Sequence, residues 1–319
     1  MRSLELKQGN NVINLGELGF FLTSPLKIST PELVTEFNRI DGMAGRVLSH
    51  ASHEKIVIEA EIEFNFSFEA QYPMLRDRIQ SIVSGAEPFY IREIVPEQVE
   101  IKPELPGETQ GPMKLPNMRY ADGKQYLVIG AGSTSFEQVA LTGIGTVTFE
   151  TARLPYAESI GTSMTIQNNG VMATDNLWSM GMGLLMEEKD KDTWKYKYSN
   201  VPTFNIFNPG HVPINDYKQY CKIKLIARQS ASSIRLTDRY GRTFVITRAI
   251  NNGDVIEINQ PYVKVNSATA IQDTNYVFPY IDSGNNTFKI EGISSYDIEF
   301  DFRFYYGAQN IRSVRKPWN

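Results

Sequence analysis

His50 and His53 stand three residues apart, the spacing of half a metal site. Zinc takes three or four protein ligands, usually as two pairs, and the chain offers only His211 as a further histidine, with Glu54 and Glu59 as available carboxylates. Without a second pair, the two histidines read as polar residues on the turn before a strand. Gly130-x-Gly132-x-x-Ser135, after the strand pattern Gln125 to Ile129, has part of a dinucleotide-binding fingerprint. It lacks the third glycine and a long amphipathic helix after it, so it reads as a loop. Glu61/Glu63, Glu187/Glu188 and Glu299/Asp301 are the carboxylate pairs available for acid/base hydrolysis of a glycoside. The pairs in strand patterns fall on polar faces, where charge keeps a sheet soluble. No G-x-S-x-G, P-loop or locally supported Ser-His-Asp order is present. Cys221 is the single cysteine, which excludes an intrachain disulfide and a cysteine metal cluster. Its alternation with Ile223 and Leu225 predicts a buried thiol. Neither catalysis nor a cofactor nor a metal is expected.

Binding chemistry has more support. Tyr217, Tyr220, Tyr240, Tyr262 and Tyr280 could stack on sugars, which makes a carbohydrate-binding module for host-surface adhesion the alternative function, but tyrosine is equally what protein interfaces use. Arg235, Arg239, Arg242 and Arg248 form a modest basic stretch that the solvent face of a strand explains. The whole chain, with 32 Lys+Arg against 36 Asp+Glu, carries a net charge of −4. That balance argues against non-specific binding to nucleic acid or an anionic membrane, which needs a basic excess. Met1 to Asn10 is polar, and no run of about 18 apolar residues occurs. The chain is expected to fold in a cytoplasm without a secretion or membrane signal.

The elements that must carry these residues are mainly strands. From Asp297 to Tyr306, Ile298, Phe300, Phe302, Phe304 and Tyr306 point one way, and Glu299, Asp301, Arg303 and Tyr305 the other. Ile58 to Phe68 alternates in the same manner, with Asp41-Gly42 and Gly45 marking a turn before it. One helix is predicted, from Pro73 to Val83, with a stripe of Leu75, Ile79, Ile82 and Val83 and Gly85 placed to end it. Residues 94–119 hold prolines 96, 103, 106, 112 and 116, and read as an extended arm or β-hairpin. The arm's charges, Glu97, Glu100, Lys102, Glu104, Glu108 and Lys114, make it a candidate partner-docking element. Residues 155–186 read as irregular, and the charge cluster 187–192 as a solvated linker. The fold expected is mainly β in two domains: 1–198, a β-sandwich with one helix and the arm, and 199–319, a second β-sandwich.

In the order of these parts the chain resembles the distal tail proteins of siphovirus-type phages that infect Gram-positive bacteria. The likeness runs through Asp41-Gly42 with Gly45, the strand Ile56 to Phe68, the helix Pro73 to Val83, Pro88-Phe89-Tyr90-Ile91 and Gly143-x-Gly145-Thr146-Val147-Thr148-Phe149-Glu150. It continues through Phe204-Asn205-Ile206-Phe207-Asn208-Pro209-Gly210, Gly253-Asp254-Val255-Ile256-Glu257-Ile258, Phe278-Pro279 and Gly284 to Ile290 to the last strand. The specificity lies in order and spacing. The resemblance implies an N-terminal belt domain that forms hexameric rings and a C-terminal galectin-like or OB-like β-sandwich. It also implies a virion role at the tail tip or baseplate, after assembly in the host cytoplasm. There the ring would join the tail tube protein to the tail-associated fibre or lysin protein and anchor receptor-binding or other baseplate proteins. The segment 94–119 is longer than a minimal belt domain needs, and in larger members of the family such arms contact receptor-binding proteins.

Overall fold

The computed structural model describes residues 1–42, 44–97, 117–171, 176–184 and 194–308. Its contacts divide the chain into Met1–Pro155 and Tyr156–Asn319.

The first unit runs β1 (Ser3–Gln8), β2 (Asn11–Asn14), β3 (Phe20–Leu22), β4 (Lys27–Ile28), β5 (Leu33–Asn38), β6 (Val47–His53), β7 (Val57–Asn65), α1 (Gln71–Val83), β8 (Phe89–Pro96), β9 (Met118–Tyr120), β10 (Lys124–Gly130), β11 (Ser135–Val139) and β12 (Thr142–Thr151). An antiparallel sheet is ordered β2-β1-β8-β10-β12-β7-β3, with β9 on β8, β4 on β7 and β11 on β12. The alternation read in the sequence sets its core: Ile58, Ala60, Ile62, Phe64 and Phe66 are buried. The strand ends at Asn65, however, and Phe68 is 57% exposed, because the chain leaves the sheet to start α1. Phe64 packs edge-on to Phe20 at 5.5 Å and against Phe136 at 5.6 Å. These rings need the glycines of β12. A Cβ on Gly143 would lie 2.2 Å from the Phe64 ring, and one on Gly145 would lie 2.5 Å from the Phe136 ring. Helix α1 begins two residues before Pro73 and buries Ile79 and Val83. It ends at Ser84, whose N–H donates to the Gln80 carbonyl at 3.0 Å, one residue before the expected stop at Gly85.

The second unit contains β13 (Ala157–Ser159), α2 (Ser163–Asn169), β14 (Lys197–Ser199), β15 (Thr203–Asn208), β16 (Cys221–Ala227), β17 (Ile234–Thr237), β18 (Thr243–Ile246), β19 (Val255–Asn259), β20 (Tyr262–Val265), β21 (Ala268–Thr269), β22 (Gly284–Glu291), β23 (Tyr296–Phe302) and β24 (Tyr305–Tyr306). One sheet is ordered β14-β23-β16-β19-β20-β21 and the other β15-β22-β17-β18. Their inner faces meet through aromatic rings: Phe300 of β23 lies 5.7 Å from Phe204 of β15 and 5.1 Å from Phe288 of β22. This is a β-sandwich. The predicted inward set Ile298, Phe300, Phe302, Phe304 and Tyr306 is buried. Tyr305, expected on the outer face, is buried as well, because the strand breaks after Phe302 and the chain then pairs with β13.

The division at 155/156 differs from the junction expected near 198/199. The described residues between 156 and 199 hold to the sandwich through polar hooks and isolated rings. The Ser163 hydroxyl donates to the Phe300 carbonyl at 2.7 Å and accepts from the Phe302 N–H at 2.9 Å. It thus continues, on the edge of β23, the ladder that β14 covers only as far as Glu299. Trp194 packs on Phe207 at 5.1 Å, Tyr196 on Phe302 at 5.5 Å and Trp178 on Phe304 at 5.7 Å. Helix α2, in a segment read as irregular, has the single buried apolar residue Ile166.

Candidate interaction surfaces

The strands β5 and β6 pair only with each other, and every residue of both is exposed. The ladder continues inward through the Glu32 N–H to the Lys55 carbonyl at 2.8 Å, and the turn holds Gly42 and Gly45 at φ 82° and 93°. Six apolar side chains lie bare on this hairpin: Leu33, Val34, Phe37, Ile40, Val47 and Leu48. Phe37 stands opposite Leu48 at a register shift, and the Arg46 guanidinium covers its ring at 3.7 Å. A lone two-stranded hairpin is marginal in water, and two open edges with an apolar surface are the features that a partner strand or subunit completes.

The residues weighed for chemistry lie apart from one another. His50 and His53 are exposed on β6 itself, opposite Glu36 and Leu33, rather than on a turn before a strand. No group of three potential metal ligands exists among the described residues. Gly130 ends β10, and the C-terminal turn of α1 passes so close that a Cβ there would lie 2.5 Å from the Val83 carbonyl oxygen. The glycine serves helix packing, and a strand follows it, not a helix. Of the carboxylate pairs, Glu61 is ion-paired to Lys27 and accepts from Ser24, contacts that hold its carboxyl below the usual range. Glu299 is ion-paired to Lys197 at 3.1 Å, and Asp301 accepts from the Tyr220 hydroxyl at 2.6 Å. Glu187 and Glu188 lie outside the described residues. Cys221 is half-buried rather than buried, and desolvation, followed by the charge of Asp301, pushes its thiol up to about 12, so it is not a thiolate at neutral pH.

Of the arm residues, Glu100, Lys102, Glu104, Glu108 and Lys114 lie outside the described residues. The base of the arm is described. β8 and β9 pair from Ile94 with Tyr120 to Pro96 with Met118, and the Glu97 N–H donates to the Asn117 carbonyl at 2.8 Å. The segment therefore leaves and re-enters between two adjacent strands.

The five tyrosines do not form one platform. Tyr217 and Tyr262 are exposed, and the Tyr220 hydroxyl is engaged by Asp301. Tyr240 and Tyr280 do meet, edge to face at 5.3 Å, and Arg239 and Arg242 join them. Arg248 is instead ion-paired to Asp273 at 3.5 Å, and Arg235 lies on the solvent side of β17. What sequence reading missed is a buried charge pair. Arg92 of β8 donates to Glu5 of β1 at 2.6 Å and to Gln125 of β10 at 2.9 Å. Nothing in the alternation of Phe89 to Ile94 marks Arg92 as buried.

No family model matches the chain, and no curated protein sequence matches it. Among solved structures, it is similar to the SPP1 Dit protein, described as a paradigm of the hub adsorption apparatus in Gram-positive infecting phages. The alignment covers 95% of this chain and 99% of that chain, with a TM-score of 0.62 at 9% identity. The chain thus has the fold of that protein, mainly β throughout. Chains of the phage p2 baseplate in its activated conformation, with Sr and with Ca, align over 95% and 98% of this chain and 98% and 100% of theirs at 12% identity. Their TM-scores of 0.39 and 0.40 are too low to define a shared fold.

Proposed function

We propose that this chain is a structural subunit of a phage tail tip. In this reading six copies close into a hub ring that joins the tail tube to the fibre or lysin protein and anchors peripheral baseplate proteins. No catalysis and no cofactor enter this role. The observation that carries the reading is the bare hairpin β5–β6, and the fold shared with the SPP1 Dit protein supports it. The six side chains are 38–56% exposed, so burying each on a neighbour would contribute about 1 kcal/mol before ordering costs, and head-to-tail contacts of one kind close into a ring where their rotation closes. The ring is built from the N-terminal domain, expected over 1–198, whose contacts form a unit at 1–155.

Light scattering at micromolar concentration should report a mass near six subunits, and replacing Phe37 and Leu48 together by Glu should reduce it to one. A wild-type chain that stays monomeric alone and with tail partners sinks the ring. Six copies at a net charge of −4 carry about −24, so the ring should also repel duplex DNA within a Debye length of ~8 Å. Tight, salt-sensitive DNA binding would contradict a conduit role.

The arm is proposed to dock a peripheral baseplate protein through Glu97, Glu100, Lys102, Glu104, Glu108 and Lys114. Because its two ends are hydrogen-bonded neighbours, a short Gly/Ser linker in place of residues 97–115 closes the gap without strain. This replacement should leave ring mass and melting temperature nearly unchanged while attachment of the peripheral protein falls. Loss of folding would make the segment structural, and intact attachment would place docking elsewhere.

A further inference from the structure

The turn Asp238 to Arg242 between β17 and β18 carries a side-chain cluster that the ring does not use. Asp238 is buried and accepts from the backbone N–H of Tyr240 at 2.9 Å, of Arg242 at 3.0 Å and of Tyr280 at 3.2 Å. One carboxylate thereby fixes two loops against each other. On this frame the Arg242 guanidinium lies over the Tyr280 ring at 4.5 Å and near Tyr240 at 5.9 Å. Arg239 covers Tyr240 at 5.1 Å but is already engaged, by the Asn285 carbonyl at 2.9 Å and by Asp282 at 3.8 Å. The Tyr240 hydroxyl donates to Asp282. Arg242 is exposed and, among the described residues, forms no ion pair with a carboxylate. Tyr276 and Val277 stand exposed in the loop that leads to Tyr280.

We propose that this cluster docks an acidic segment of a partner protein, with Arg242 taking a carboxylate in a two-pronged pair beside the Tyr240 ring. A guanidinium already stacked on aromatic rings loses little freedom on binding, and its planar fork matches a carboxylate. Tyrosine and arginine are the residues that dominate protein interfaces. The charge is complementary: Asp238 spends its oxygens on backbone donors and Asp282 is ion-paired with Arg239, so Arg242 is the exposed guanidinium of the cluster left without a carboxylate among the described residues. Guanidiniums lie over one face each of Tyr240 and Tyr280, which takes those faces from sugar stacking and adds a positive charge that an acidic peptide matches. This site does not depend on the ring, whose contacts are placed on the other unit.

Panning a library of short random peptides against the full-length chain, with Arg242→Met as counter-selection, tests the assignment. Acidic peptides should be enriched, bind more weakly as salt rises, and lose roughly tenfold or more in affinity on Arg242→Met, with only partial recovery in Arg242→Lys. Binding of each selected peptide and of its Asn/Gln counterpart to the wild-type chain gives a readout that needs no variant to fold. Equal binding of the neutral counterpart overturns the proposal, as do enriched peptides that are indifferent to Arg242. A glycan array on the same chain that captures acidic sugars, with no acidic peptide selected, overturns it in favour of a carbohydrate site. Light scattering on the same samples reports the ring separately, so failure of one reading is not failure of the other.

Discussion

Phe300→Ala should lower the melting transition of the C-terminal unit by on the order of 10 °C and leave that of the N-terminal unit in place. Phe300 is fully buried at the centre of the sandwich, where it is the ring of β23 that touches both Phe204 and Phe288 of the facing sheet. Truncation removes the transfer energy of the ring and leaves a cavity between two sheets that cannot collapse without breaking their ladders. Such losses run to about 3–5 kcal/mol, and for a unit of this size each kcal/mol moves the midpoint by roughly 2–4 °C. Phe300→Leu, which keeps most of the side-chain volume but not the ring shape, should fall between. Calorimetry of the full chain resolves the matter, because a shift below about 2 °C would mean that the two sheets are not held by this ring cluster.

That core was legible because its signal is periodic. Alternation from Asp297 to Phe302 and from Ile58 to Phe66 names nearly every inward residue, since a strand admits only two faces. Where the strand ends is another matter. Phe68 and Tyr305 were assigned by extending an alternation past the residue where the backbone leaves the sheet, and no side-chain pattern marks that point. The boundary between the units was hidden for a different reason. Ser163 joins the segment 156–199 to β23 by a hydroxyl that replaces ladder bonds, and Trp178, Trp194 and Tyr196 pack singly, so no stretch of the segment has a period.

The interaction surfaces were legible only in part, and again the physics explains which part. Glycines 42 and 45 marked a turn but not the hairpin that it closes, and exposure of Phe37 and Leu48 depends on what does not cover them, which a single sequence does not encode. The basic stretch was visible as composition. That Arg248 meets Asp273 depends on the pairing of the Thr247 N–H with the Asp273 carbonyl, and the setting of Arg242 over Tyr280 on the Asp238 contact between residues 42 positions apart, neither of which composition shows.

Arg92→Leu should cost the N-terminal unit about 3–5 kcal/mol, while the double variant Glu5→Leu/Arg92→Leu should cost less than the single one. The two side chains face each other directly in the β1–β8 register, with 7% and 17% of their side-chain surfaces exposed. Removing the guanidinium leaves the Glu5 carboxylate without a counter-charge in a site with little water, held only by the Tyr120 hydroxyl at 3.1 Å, and strands the Gln125 oxygen that Arg92 had donated to. An orphaned charge is what makes the single change severe, so deleting it with the second substitution should recover stability, even though Tyr120 and Gln125 keep a residual penalty of about 1–3 kcal/mol each unless they rotate to new partners. The expected signature in a double-mutant cycle is therefore a coupling of roughly 2 kcal/mol or more. Additive single effects would show instead that Arg92 contributes through its guanidinium over the Tyr120 ring, 5.6 Å from the centroid, and that the ion pair itself is worth little.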